Sequence, residues 1–339
     1  MPASPLLVLP TVADDLQRVE DALRRSVVAD DAFLTQVASH LIEAGGKRGR
    51  PAFAIGAAGS ASVELAPVPD DVIMGAVSVE LVHLGSLYHD DVMDEATTRR
   101  TVESVNAKWG NLQAILAGDY LLARASEIAA SLGTEVAGLL ARTIGRLCEG
   151  QVLELQHTYD VGRTEDAYLR SIDGKTASLY STASRIGAIT AGLDRTWIDA
   201  FTEFGLRYGM AFQIVDDILD LAATDEQLGK PAGHDLIEGV YTLPVIRTLA
   251  DGGAEADELR SLLGRPLTED EMHRARAIVR ASGQIESALE TARQQVAAAG
   301  AVLDACDGLA GRDAVAALTG GAGHLLDTAS AIVVACASN

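Results

Sequence analysis

Two stretches of this chain end in the same acidic pattern, and that pattern restricts what the rest can be. Leu81 to Arg100 reads LVHLGSLYHDDVMDEATTRR, an apolar run closing on Asp90, Asp91 and Asp94, with Arg99 and Arg100 just beyond. A second apolar run closes on DDILD, at Asp216, Asp217 and Asp220. Residues four apart on a helix are neighbours, with about 5–6 Å between their Cβ atoms. Asp90 with Asp94, and Asp216 with Asp220, therefore crowd like charges together. They do so at helix C-termini, where the macrodipole already disfavours negative charge. A divalent cation between the carboxylates removes both penalties. All-oxygen ligands with no neighbouring Cys or paired His point to Mg2+, held jointly with substrate phosphates. The plainer reading, a solvated acidic helix end, leaves the repetition unexplained.

The surroundings of these motifs predict an all-α fold. Ala and Leu dominate and aromatics are only 4% of residues, which favours close-packed helices. Apolar residues recur at helical spacing almost throughout, and no strand alternation persists. The spacing predicts helices over 16–28, 33–44, 52–59, 111–131, 134–158, 165–192 and 196–222. A long helix begins at Asp70-Asp71 and is apolar on nearly every side from Val72 to Tyr88, the mark of a buried helix. A loop with Gly229, Pro231, Gly233 and Gly239 follows, and 241–337 reads as further helices with Gly breaks. No Ser/Pro-rich linker divides the chain, so residues 1–339 are expected to form a single domain. In such a bundle the DDILD helix is expected to face the DDVMD helix, as metal sites between helices are usually built.

A net charge of −21 argues against a nucleic-acid partner, which requires a basic footprint. Cys148, Cys306 and Cys336 are widely spaced with no CxxC, which fits a reducing, cytoplasmic location rather than a disulfide framework. The apolar patch Leu6 to Leu9 lacks the basic flank of a signal peptide. Nothing reaches the roughly 18 uninterrupted apolar residues of a spanning helix, so no transmembrane segment is expected.

Gly45-Gly46-Lys47-Arg48-Gly49-Arg50-Pro51 concentrates flexible backbone and positive charge in this acidic chain. It reads as a phosphate-binding turn, or as a helix C-cap whose basic residues complement the dipole. Arg99 and Arg100 offer the planar donors that suit phosphate oxygens.

Taken together, GGKRGRP, LVHLGSLYHDDVMDEATTRR, NLQAILAGDYLL, GKTASL, GMAFQIVDDILDL and GKPAGHDLIEGVYTLP resemble the trans-prenyl (polyprenyl) diphosphate synthase family over roughly residues 40 to 250. The resemblance implies an isoprenoid synthase-type helical bundle around a central cavity, assembled as a homodimer. It implies Mg2+ on Asp90, Asp94 and Asp216, supported by Asp91, Asp217 and Asp220. Lys47, Arg50, His83 and Arg100 match residues that hold isopentenyl diphosphate. Arg99, Lys175 and Lys230 match those contacting the allylic prenyl diphosphate, and Thr176 and Gln213 align with polar groups beside the developing carbocation. Transient membrane contact for product release accompanies this reading. Two positions depart from the pattern: Thr101 stands where the family commonly has Gly, and Val240 where it commonly has Lys.

Product length is read from the helix leading into Asp90. One turn rises about 5.4 Å, close to one extended isoprene unit. Short-chain relatives tend to place an aromatic floor at the positions of Gly85 and Ser86; here these residues, with Val82, Ser78 and Gly75 below, are modest in size. Asp90 to Gly75 spans about 22 Å on that rise, room for roughly four or five isoprenes below the aspartates with no bulky floor. A long product of about six to ten units, as in a quinone side chain, is expected. Small residues also permit close helix packing. A geranylgeranyl diphosphate synthase and a non-catalytic subunit of a heteromeric synthase are the alternatives.

Overall fold

The computed structural model describes residues 11–62, 67–224, 227, 232–305 and 308–337, so that residues 6–9, Gly229, Lys230, Pro231 and Cys306 lie outside the described residues. Helices dominate, as the periodicity predicts. In order they are α1 (Val12–Ser26), α2 (Ala32–Glu43), α3 (Gly49–Gly59) and α4 (Asp70–Met93), then α5 (Val105–Trp109), α6 (Asn111–Ser131), α7 (Thr134–Gln156) and α8 (Glu165–Ile172). After a π-helical turn at Asp173–Ala177 come α9 (Ser178–Thr190) and α10 (Arg195–Ala222). The C-terminal part carries α11 (His234–Glu238), α12 (Leu243–Asp251), α13 (Gly253–Leu262), α14 (Glu269–Ala281), α15 (Gln284–Asp304) and α16 (Arg312–Ala337). The chain gathers into two compact units.

The first unit contains the described residues up to Gly145 with 179–205 and 302–320. Its centre is α4, against which α6, α3 and α1 pack. Length and composition alone would let α4 cross a membrane, but 72% of its apolar window is buried inside the protein, as expected of a core helix. Its start is pinned by Arg18 of α1, which bonds Asp15 and Asp70 at 2.6 Å each and the Val68 carbonyl at 2.8 Å. Its far end is fixed by Tyr88, fully buried, whose hydroxyl donates to the Val37 carbonyl at 2.7 Å.

Between α4 and α5 lies a two-stranded hairpin, β1 (Thr98–Arg99) with β2 (Val102–Glu103), which the absence of alternation did not predict. Its register pairs Arg99 with Val102 and leaves Arg100-Thr101 as the turn, both at positive φ (52° and 65°). That is the signature of a type I′ turn, in which Gly or Asn is favoured. A β-branched Thr there is strained, which is the physical reason that Gly suits the position better; nothing in the structure explains the Thr.

The second unit contains residues 146–178, the described residues of 206–301 and those from Gly321 onward. Its core joins Tyr168, Ile172, Ile214, Ile218, Leu236, Tyr241, Leu259 and Val279. The expected continuous helix over 165–192 is interrupted at the π-turn. The break coincides with backbone-level contacts: a Cβ on Gly150 or Gly174 would run into the other segment, and one on Gly209 of α10 would run into Ala177. A π-turn absorbs one extra residue in a helix and is frequent at functional sites.

The α9–α3 contact in the first unit is equally tight, since a Cβ on Gly187 would overlap the Ala54 carbonyl. Overpacking of this kind costs roughly 1–3 kcal/mol or more. Gly187→Ala should therefore lower the thermal unfolding midpoint clearly, and an unchanged midpoint would show that the two backbones are not in contact.

Candidate active site

In the first unit, the acidic end of α4 meets the chain's own donors. Asp91 is fully buried; Arg99 reaches its Oδ1 from Nε at 2.7 Å and from Nη2 at 2.6 Å. The Asn106 amide donates to the Asp91 and Ala96 carbonyls, tying off the helix terminus. Burial pushes the Asp91 carboxyl up, and the Arg99 charge opposes that. Its Oδ2 is buried with no hydrogen-bond partner. Asp90 is half-buried and Asp94 exposed, so these two are the outward members of the motif.

Beside them lies a basic cluster. Arg48, buried and left-handed (φ 47°) at the start of α3, bonds Glu20, the Ile42 carbonyl and, at 2.9 Å, Glu80. Arg100 donates to the Leu41 carbonyl at 3.0 Å and to the Gly45 carbonyl, and its Nη2 sits 4.0 Å from Glu80. Gly46 lies against the Arg100 guanidinium, which a side chain there would have to displace. The Arg50 guanidinium lies over the Tyr180 ring at 4.8 Å, with its Nε buried and unpartnered. Lys47 is exposed in the same turn. Burial, then the charges of Arg50, Arg100, Arg48 and Arg99, hold the His83 imidazole well below its ordinary value. Four guanidiniums acting on one neutral imidazole make a local positive field in a chain of net charge −21. Glu80, a lone acid inside the apolar run, was missed by sequence reasoning although its isolation was the available signal. Burial pushes its carboxyl up, against the pull of Arg48, Arg50 and Arg100.

The proposed chain-length positions differ among themselves. A Cβ on Gly85 would meet the Gly118 carbonyl at 3.1 Å and Leu122 of α6, so this glycine serves the contact of α4 with α6. Gly75 packs in the same way against Ile186. Val82 and Ser78 are fully buried, whereas Ser86 is only half-buried, its hydroxyl turned back onto the His83 carbonyl at 2.8 Å.

In the second unit, α10 carries Asp216 exposed, and Asp217 and Asp220 buried. Asp217 accepts from the Tyr168 hydroxyl at 2.6 Å and from the Gln213 amide at 2.7 Å, and the Thr176 hydroxyl donates to the Gln213 carbonyl oxygen at 2.7 Å. Burial pushes the Asp217 carboxyl up, the two hydrogen bonds oppose it, and the Asp216 and Glu154 charges add to it. Asp220 accepts from the Asp235 amide at 3.2 Å through Oδ2, while its Oδ1 is buried without a partner. Arg276 donates to the Leu221 and Ala223 carbonyls and so caps the acidic end of α10. Lys175, on the π-turn, bonds Glu154 at 2.6 Å. Val240 donates its amide to the Asp235 carbonyl at 2.8 Å. Tyr168, Glu154 and Arg163 were not singled out from sequence, since their partners lie far along the chain.

Among the described residues, no group of three His, Cys, Asp or Glu side chains forms a ready metal cage. The donors nevertheless fit a hard cation: they are carboxylate oxygens only, and two of them, on Asp91 and Asp220, are buried without partners. Mg2+ usually takes one or two carboxylates and completes its shell with water and substrate phosphate, so a full protein cage is not required.

His83 carries a consequence for stability. Its folded-state pKa lies below 6.5 while the unfolded chain keeps the ordinary value, so the unfolded state binds the extra proton in acid. This part of the stability is present above pH 6.5 and is lost as pH falls below it. His83→Asn should flatten the decline in urea stability between about pH 6.5 and pH 5. An unchanged slope would mean that the imidazole is not held neutral.

The comparisons with known proteins agree with this geometry. The sequence profile of the polyprenyl synthetase family matches residues 31–279. The chain is 39% identical over 305 residues to the nonaprenyl diphosphate synthase of Mycobacterium tuberculosis, covering 89% of each. It is 42% identical over 246 residues to heptaprenyl diphosphate synthase component 2 of Geobacillus stearothermophilus, covering 72% of this chain and 76% of that one. Its fold is similar to a crystal structure of a Caulobacter crescentus polyprenyl synthase complexed with calcium and isoprenyl diphosphate. The TM-score is 0.85 at 34% identity, with 95% and 98% of the two chains covered. A predominantly helical chain with two acidic helix ends and a guanidinium cluster, matched over most of its length, belongs to the polyprenyl synthetase family.

Proposed function

We propose that this chain is a Mg2+-dependent trans-prenyltransferase. It condenses isopentenyl diphosphate with an allylic prenyl diphosphate, cycle after cycle, to give a long all-trans polyprenyl diphosphate for a quinone side chain. The observation that carries this reading is the gathering of Arg48, Arg50, Arg99 and Arg100 around a neutral His83, next to DDVMD, in a strongly acidic chain. A field of that sign and place suits a diphosphate. The long-chain relatives named above support the product class.

In this reading Lys47, Arg50, His83 and Arg100 hold isopentenyl diphosphate, and the neutral imidazole donates one hydrogen bond to a phosphate oxygen. Arg99, Lys175 and Lys230 hold the allylic diphosphate. Asp90 and Asp94 would hold one Mg2+ and Asp216 another, and when bound these ions would supply Lewis-acid stabilisation of the departing diphosphate. Thr176 and Gln213 place oxygen dipoles beside the allylic carbon as its C–O bond breaks. The double bond of isopentenyl diphosphate then attacks that carbon, a carbon–carbon bond forms, and a proton is lost to the released diphosphate. The apolar flank of α4 keeps water from the cation. Val82, Gly85 and Ser86 bound the growing chain, with Ser86 the member that retains exposure.

We assign the whole chain to one catalytic domain acting in the cytoplasm, with transient membrane contact for product release. A homodimer is supported by the exposed stripe Leu112, Ile115 and Leu116 on α6, of which Leu112 is 73% and Leu116 65% exposed. A stripe at i, i+3 and i+4 is the pattern of a packed helix face. The relative named component 2 favours a second reading, in which a different subunit completes the enzyme.

The test is incubation of pure protein with labelled isopentenyl diphosphate, a series of allylic primers and Mg2+, followed by separation of products by length. Products of about six to ten isoprene units that vanish on chelation are expected. No incorporation by the pure chain, restored by a second subunit, would favour the heteromeric reading. Ser86→Phe should shift the products shorter, and an unchanged distribution would remove Ser86 from the ruler.

A further inference from the structure

The reading above leaves one buried group in the second unit without a task. Tyr168 on α8 is 1% exposed, and its hydroxyl is spent on Asp217 at 2.6 Å. It begins a run of four side chains: Tyr168 to Asp217, Gln213 to Asp217 at 2.7 Å, and Thr176 to Gln213 at 2.7 Å. The direction of every proton in this run follows from chemistry. In its ionised form Asp217 only accepts, so the Tyr168 hydroxyl and the Gln213 NH2 both point at it. The amide can then offer only its oxygen to Thr176, whose hydroxyl proton is committed to Gln213. The lone pairs of Thr176 are thereby turned away from Gln213 and left free.

We infer that Tyr168 is a positioning residue for prenyl transfer: by fixing Asp217, it sets the amide orientation of Gln213 and aims the lone pairs of Thr176 at the developing allylic cation. This rests on the prenyltransferase reading of the same site. The neighbouring geometry supports a fixed tyrosine. The Arg163 guanidinium lies 5.5 Å from the Tyr168 ring centroid and donates to Ser171 Oγ at 2.6 Å, and Ser171 donates in turn to the Tyr168 carbonyl at 2.8 Å. Backbone contact between Gly209 and Ala177 holds α10 against the π-turn, so Gln213, one turn further along α10, stays within reach of Thr176. Removing the phenol oxygen leaves Asp217 one donor short and free to rotate. Gln213 then loses its fixed acceptor, and the Thr176 hydroxyl can turn its hydrogen outward, presenting the wrong end of the dipole to a cation. Such a fault acts on the transition state more than on binding of either diphosphate.

The test is a double-mutant cycle on kcat in the full-length protein, with Tyr168→Phe, Thr176→Val and the pair, each first checked for an unchanged helical unfolding profile. Tyr168→Phe should lower kcat about tenfold with both KM values within about twofold, and the pair should be no worse than the poorer single variant. A purely structural tyrosine would instead give losses that multiply, or would move KM; either result, or an unchanged kcat in Tyr168→Phe, overturns the assignment. If Tyr168→Phe fails to fold, Asp217→Asn takes its place in the same cycle with the same two outcomes. Absence of any activity in the unaltered protein would count against the prenyltransferase reading, whereas a normal parent enzyme with multiplying losses would count against the role of Tyr168 alone.

Discussion

Negative charge packed against a helix C-terminus has to be answered by something, and this chain answers it twice with its own donors. At the end of α4 the buried Asp91 is met by Arg99, and Asn106 takes up its carbonyl. At the end of α10 the buried Asp217 is met by Tyr168 and Gln213, while Arg276 caps the last carbonyls. In both places the second aspartate of the pair is turned into the protein and the first is left more open, half-buried at Asp90 and exposed at Asp216. Protein donors therefore hold each acidic end in shape through its buried aspartate, while the neighbouring carboxylate stays more open.

The basic cluster follows the same logic with the signs reversed. Arg48 is a structural cation, satisfied by Glu20, Glu80 and a carbonyl, whereas Arg50 keeps a buried, unpartnered Nε. Glu80 lies among them as the counter-charge that lets several guanidiniums crowd into one place. A buried charge that loses its partner is costly, so this set is expected to stand or fall together. The type I′ turn at Arg100-Thr101 aims Arg100 back onto the Leu41 and Gly45 carbonyls at some backbone cost. Strain of this kind is usually retained where it positions a functional side chain.

Much of this was legible in the sequence because it rests on local rules. The apolar run from Val72 to Tyr88 could only be a buried helix, and it is the centre of its unit. The two DDxxD patterns marked their helix ends to within a residue or two. What stayed hidden depends on distant partners. The break at Asp173–Ala177 coincides with close backbone approach at Gly150 and Gly209, which nothing in GKTA announces. The hairpin turn uses Arg and Thr where the recognisable signal would be Asn-Gly. Tyr168 finds Asp217 across 49 positions, and no spacing rule reaches so far. Gly85 shows the opposite difficulty: its smallness suited both a tunnel and a helix contact, and only the carbonyl of Gly118 reveals the second use.

The account stands on the proposal that the acidic helix ends bind Mg2+ for an allylic diphosphate. Calorimetric titration with an unreactive allylic diphosphate analogue, with and without Mg2+, measures this most directly. Tight binding that requires Mg2+, and that falls at least tenfold in Asp90→Asn and equally in Asp216→Asn, is the predicted result. Binding that ignores Mg2+, or that survives loss of either carboxylate, would contradict it.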